Sequence, residues 1–269
     1  MGCGATMPVA PTAVPPTPIP LTLIPPGPNW QLTFADEFDK PTLDTSKWDT
    51  CFYFVDTFEG TPGCKLGDDL SSIFRPDDVL PQTDGTLLLQ AQKRATVAYD
   101  KPYTYTTGML SSLAHYTFTF GYAEIRMKAS KGQGLWNAFW LMPASKKWPP
   151  EIDVLEILGR ETQQVHTTLH YKGAADEHLS MGQPYSSAID LADDFHIYAA
   201  NWTKDTLIWY VDGVERFRQT EHIPKEPMYV IVTLSAGNAA SWAGEPDATT
   251  RLPNTLQIDY IRVYQAKLF

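Results

Sequence analysis

Residues 148 to 159 read W-P-P-E-I-D-V-L-E-I-L-G, which sets Glu151, Asp153 and Glu156 inside an apolar run. Burial penalises the charged form of a carboxyl, so acids in such a run need a reason to be there. The flanking Ile152, Val154, Leu155, Ile157 and Leu158 favour a strand. Strand side chains alternate between two faces, so Glu151 and Asp153 share one while Glu156 has the opposite parity. A β-bulge adds one residue and restores that parity. The adjacent pair Val154-Leu155 breaks the alternation its neighbours obey and is the expected place for it. The three acids then become successive residues of one face. The outer α-carbons lie about 13 Å apart, four strand steps of ~3.3 Å.

Two carboxyls on opposite sides of a scissile bond are what glycoside hydrolysis requires. One attacks the anomeric carbon and the other protonates the departing oxygen; a gap near ~5–5.5 Å gives retention, a wider one inversion. Asp153, between them, would help set the two glutamates' different protonation states. The alternative is a strand with three exposed acids and no reaction. Trp136 and Trp140 are four apart on an expected strand, so they share a face and could stack on successive sugars; core packing is the other reading. His166 and His170 have a metal-binding spacing only on a helix. On a strand their α-carbons lie about 13 Å apart, so no catalytic zinc is expected.

The elements that must hold these residues read as β nearly throughout. Segments 31–38, 86–93, 107–112, 120–129, 135–142, 151–158, 165–171, 196–202, 206–217, 228–235 and 256–265 have strand character, and Asp84-Gly85 and Asp212-Gly213 mark turns. Many antiparallel strands without helices imply an all-β, two-sheet sandwich of the jelly-roll kind with a concave substrate cleft. The 269 residues are 43% hydrophobic, enough for a sizeable core. A net charge of −10 argues against nucleic acid, whose phosphates need clustered cations. The composition, with 8 Trp and 13 Tyr, suits a neutral, sugar-like partner. No apolar run is long enough for a membrane span.

Residues 1 to 28, dense in proline from residue 8 onward, read as an extended tether, leaving 29–269 as the functional domain. No complete signal peptide is expected at the start. Cys3 would fit a lipidated cysteine if Met1 and Gly2 are remnants of a leader; a tail cysteine without function is the other reading. Cys51 and Cys64 enclose a short Gly-, Asp- and Pro-containing loop that fits a disulfide, contributing roughly 3 kcal/mol by loop closure. A disulfide implies an oxidising, extracellular setting.

E-I-D-V-L-E resembles the E-x-D-x-x-E signature of glycoside hydrolase family 16 in its bulged, laminarinase-like form. The resemblance also runs through W-Q-L-T-F-A-D-E-F-D, F-G-Y-A-E-I-R-M-K, G-L-W-N-A-F-W-L-M-P, T-T-L-H-Y and I-D-Y-I-R-V-Y. It implies Glu151 as nucleophile, Glu156 as acid/base and Asp153 as their partner, with anomeric configuration retained. It implies substrate contacts at Trp148, His170 and Arg75, and a structural calcium at Glu37, Gly85 and Asp259. No cofactor is implied for catalysis. Asp78 stands where the family often has Asn, and Asn137 where a Pro usually follows the Trp. The implied activity is endo-cleavage of β-1,3 linkages in laminarin or mixed-linkage glucan by a monomer. Other polysaccharides such as agar or carrageenan, transglycosylation, and a non-catalytic glucan-binding role remain as alternatives.

Overall fold

The computed structural model describes residues 29–51, 64–65 and 69–267, so the proline-rich segment and Cys3 lie outside the described residues. The strands are β1 (Trp30–Asp36), β2 (Ser72–Phe74), β3 (Val79–Pro81), β4 (Leu87–Ala98), β5 (Lys101–Thr107), β6 (Met109–Ser111), β7 (Gly121–Lys128) and β8 (Leu135–Pro143). They continue as β9 (Glu151–Leu158), β10 (Gln164–Lys172), β11 (His178–Ser186), β12 (His196–Trp202), β13 (Leu207–Val211), β14 (Val214–Gln219), β15 (Met228–Ala236) and β16 (Asn254–Ala266). Among the described residues the one helical element is a 3-10 turn at Pro76–Asp78. No helix there is long and apolar enough to cross a membrane.

Two sheets face each other in a jelly-roll sandwich. One runs β14-β13-β12-β7-β16-β4-β5-β2, with β1 on β16 and β3 on β4; the other runs β11-β10-β9-β8-β15-β6. The pairings are antiparallel except β2 with β5. Alternation explains the layering. In β8, Leu135, Phe139 and Leu141 enter the core between the sheets, while Trp136, Ala138, Trp140 and Met142 face the opposite side. Strands β2, β3, β5 and β11 lie outside the segments the sequence marks. Of these, β2 and β3 are three residues long, and β11 is exposed on both faces apart from Met181 and Tyr185, so those three carry no clear alternation.

The Cys51–Cys64 disulfide is formed, with α-carbons 4.6 Å apart. It joins a second apolar cluster with Phe74, Tyr103, Trp140, Met142, Tyr229 and Ile231. That cluster covers one end of the outer face of the six-stranded sheet.

The bulge lies where the parity argument puts it. On β8, Phe139 pairs with Leu155 and Trp140 with Asp153, so Val154 is the extra residue. On β10, His166 pairs with Glu156 and Thr168 with Asp153. Val154 and Leu155 are both buried in the core. A bulge disrupts the hydrogen-bond ladder locally. Here the buried indole of Trp209, on β13 of the opposite sheet, donates Nε1–H to the Asp153 carbonyl at 2.8 Å.

Trp209→Phe removes that donor and leaves a buried carbonyl short of a partner, a loss of about 1–3 kcal/mol. Thermal unfolding should shift down by several degrees. Unchanged melting would show that the indole does not hold the bulge.

Candidate active site

The bulge puts Glu151, Asp153 and Glu156 on one wall of a cavity of about 1000 Å³. Trp136, Trp140, Trp148, His166, His170, Trp242 and parts of β11 line the rest. The two glutamates are served alike. Trp148 Nε1 donates to Glu151 Oε2 at 2.5 Å, and Trp136 Nε1 donates to Glu156 Oε1 at 3.1 Å. Asp153 is 3% exposed, and its Oδ2 lies 3.0 Å from His170 Nε2, which is also 4.0 Å from Glu151 Oε1.

Three carboxyls in one poorly hydrated pocket cannot all be ionised at neutral pH. Desolvation, then the Glu151 charge, pushes Glu156 up to about 8, against the pull of the Trp136 N–H. Desolvation and Asp153 likewise raise Glu151 well above the usual carboxylate range, while His170 and the Trp148 N–H oppose the rise. Asp153 is raised by desolvation and by Glu156. A carboxylate oxygen of Glu151 and one of Asp153 lie within 4.8 Å of each other, so a proton on either relieves their repulsion. Burial lowers His170, keeping its ring neutral. One residue can therefore hold a proton near neutrality while its neighbours share another.

Glu151, Asp153 and His170 each bring one polar atom within 4.8 Å of the others, a spacing that an ion could also use. The hydrogen bonds among them account for that spacing without one. The residues expected at a calcium site lie elsewhere. Glu37 makes a two-pronged pair with Arg262 at 2.8 and 2.7 Å, and the Asp259 carboxylate pairs with Arg126 at 2.6 Å. The Asp259 carboxylate would have to leave Arg126 to serve a hard cation, whereas Glu37 and Gly85 are expected to offer backbone carbonyls, which these side-chain pairs do not engage. Gly85 occupies the Asp84-Gly85 turn at φ 82°.

The other expected site residues divide. Trp136, Trp148 and His170 stand in the cavity with the acids, and Trp148 is 46% exposed. Trp140 is only 5% exposed and forms part of the cavity floor, so it offers little face for a sugar. Arg75 is not among the lining residues; its Nε lies 3.9 Å from Asp77. Asp78 is fully buried, bonded to Arg94 at 2.7 Å and to Gln92. At this position the chain uses an internal ion pair rather than a cavity-facing amide. Asn137 is also internal: it accepts from Ser130 N at 2.8 Å and donates to Ile157 O at 3.0 Å, tying a loop to β9.

Sequence reasoning gave no role to His178, nor to the β11 residues Ser180, Gly182, Gln183 and Pro184 that close one side of the cavity. Trp242 stands edge-on to Trp136 at 5.6 Å and to His166 at 4.7 Å, and is 43% exposed. Exposed indoles thus flank both ends of the acid row.

Comparison with known proteins agrees with this geometry. The family model for glycosyl hydrolases family 16 matches residues 67–262. An endo-1,3-1,4-beta-glycanase, ExsH, of Rhizobium meliloti is 30% identical over 86% of this chain, which spans 51% of that protein. The chain therefore covers about half the length of that relative. A beta-glucanase of Rhodothermus marinus is 32% identical over 89% of this chain and 86% of its own length. The laminarinase catalytic domain of Thermotoga maritima superposes with a TM-score of 0.76 at 29% identity, covering 90% of this chain and all of that one. With the bulged acid row and the jelly roll already in place, these matches make the chain a member of glycosyl hydrolases family 16.

Proposed function

We propose that the protein is a retaining, endo-acting β-glucanase that cuts β-1,3 linkages in laminarin-type or mixed-linkage glucan. The observation that carries this is the row Glu151, Asp153 and Glu156 on one cavity wall, each glutamate under its own indole N–H. Glu151 attacks the anomeric carbon as the bond to the leaving oxygen breaks, and Glu156 gives that oxygen its proton. Water then gives a proton to Glu156 and attacks the same carbon, releasing Glu151. Two displacements restore the original configuration. The proton shared by Glu151 and Asp153 must sit on Asp153 when Glu151 attacks. Carboxyls supply every proton and bond in this scheme, so catalysis needs no cofactor.

The cavity favours a neutral glycan. Its described lining contains Asp69 and the three acids but no Lys or Arg, so nothing there would pair with the sulfates of a sulfated galactan. The exposed faces of Trp148 and Trp242 suit the apolar faces of sugar rings. The family relatives named as glucanases and laminarinases support the substrate class. We place the enzyme outside the cell, acting as a monomer. The disulfide supports an oxidising compartment. Anchoring through Cys3 is the further proposal for how it is held there.

Reducing-sugar release from laminarin, mixed-linkage glucan, xyloglucan and agarose should occur on laminarin, with or without mixed-linkage glucan. Glu151→Gln should abolish it while the fold and glucan binding persist. Activity confined to agarose or xyloglucan would overturn the substrate, and an active Glu151→Gln would overturn the mechanism.

The pH profile has a defined sign. Glu156 acts while protonated, so kcat/KM should fall as the pH rises through the region of about 8. The Trp136 N–H favours its ionised form. Trp136→Phe should therefore move the alkaline limb to higher pH. A limb that stays or moves down contradicts the assignment of Glu156 as the acid.

A further inference from the structure

His178 opens β11 beside the catalytic row. On β10, His170 pairs with Ser180 and Lys172 with His178, so both histidines lie on the cavity side of adjacent strands. His170 Nδ1 is 2.8 Å from His178 Nε2. The rings are within 20° of parallel with centroids 5.1 Å apart. That separation is the contact plus two ring radii, so the rings meet edge to edge, as a linear N–H···N bond requires. Trp148 packs on His178 at 4.4 Å while donating to Glu151. A continuous chain of contacts therefore runs from exposed His178 to His170, to buried Asp153, and by Trp148 to Glu151.

We propose that His178 is a positioning residue for the nucleophile pair, selecting the tautomer of His170 and holding Trp148 over Glu151. This rests on the reading of Glu151 as nucleophile. Each neutral imidazole has one N–H and one bare nitrogen, so the bond between the rings can run either way. When His178 donates, His170 keeps its hydrogen on Nε2 and gives it to Asp153 Oδ2. Asp153 is then held ionised, the shared proton sits on Glu151, and attack is blocked. When His170 donates from Nδ1, its Nε2 accepts from protonated Asp153, and Glu151 is free to attack. A protonated His178 has two N–H groups and no acceptor, so it enforces the blocked arrangement.

The charged and titratable groups around His178 are few. Lys172 faces it across the pair, and its ammonium is held by Asp176 at 2.7 Å. Glu177 is turned onto the backbone of the β10–β11 turn, accepting from Ala175 N at 2.8 Å. His170, Glu151 and Asp153 lie on the cavity side.

Three variants separate the roles: His178→Gln keeps an acceptor that never ionises, His178→Phe keeps only the ring, and His178→Ala keeps neither. For Phe and Ala we expect kcat to fall about tenfold with KM within about twofold. Gln should recover most of kcat. Nitrogen-15 NMR of His170 should show the Nδ1–H tautomer near neutral pH in the wild type and in Gln, and loss of that preference in Phe. A rise in KM at constant kcat would make His178 a sugar contact and overturn the proposal. So would an unchanged His170 tautomer in Phe. The NMR result does not depend on which acid attacks, whereas an active Glu151→Gln would strike only the underlying reading.

Discussion

One extra residue in β9 is the constraint on which the site depends. Without Val154 as the bulge, strand alternation would send Glu156 into the core with Ile152 and Val154, and no second glutamate would face the cavity. The bulge has its own requirements. It needs two successive apolar side chains that the core can accept, and Val154-Leu155 supplies them. It also disturbs the ladder, and the Trp209 indole reaches across from the other sheet to the Asp153 carbonyl. The two-sheet sandwich is thus more than a platform: its far layer holds the irregularity that creates the active face.

Burial then divides the labour among three similar acids. Desolvation raises all of them, and mutual repulsion keeps protons in the cluster. What differs is the company each keeps. Glu151 has an indole N–H and a nearby imidazole, which favour charge. Glu156 is pushed up by burial and by the Glu151 charge, with a longer indole contact opposing the rise. Asp153 is the most enclosed and lies against His170. In the proposed mechanism the acid and nucleophile roles rest on these differences of environment, because the two glutamates are chemically the same.

Much of this could be read from sequence because it is local. The parity of E-I-D-V-L-E exposes the bulge, and the succession of strand-like segments and turns without helices exposes the sandwich. A short spacing gives the disulfide. What could not be read is what depends on distant partners. Trp209 touches Asp153 across 56 residues of sequence. β11 has no apolar alternation because both its faces are largely open, so His178 carried no signal. Trp140 shares the parity of Trp136, yet the second apolar cluster buries it. Glu37 and Asp259 look like free acids until Arg262 and Arg126 are seen beside them. Alternation tells which face a side chain takes, but not what covers that face.

The most direct test of the bulged pair is azide rescue of Glu156→Ala on an aryl β-glucoside oligomer with a good leaving group. Such a leaving group departs without a proton, so the glycosyl-enzyme on Glu151 should form and wait for a base to activate water. Azide needs no base, so it should accelerate turnover and give the β-glycosyl azide. An α-azide would mean that the removed carboxyl was the nucleophile. No acceleration, or near-normal turnover without azide, would mean that the bulge does not deliver Glu156 as the acid/base.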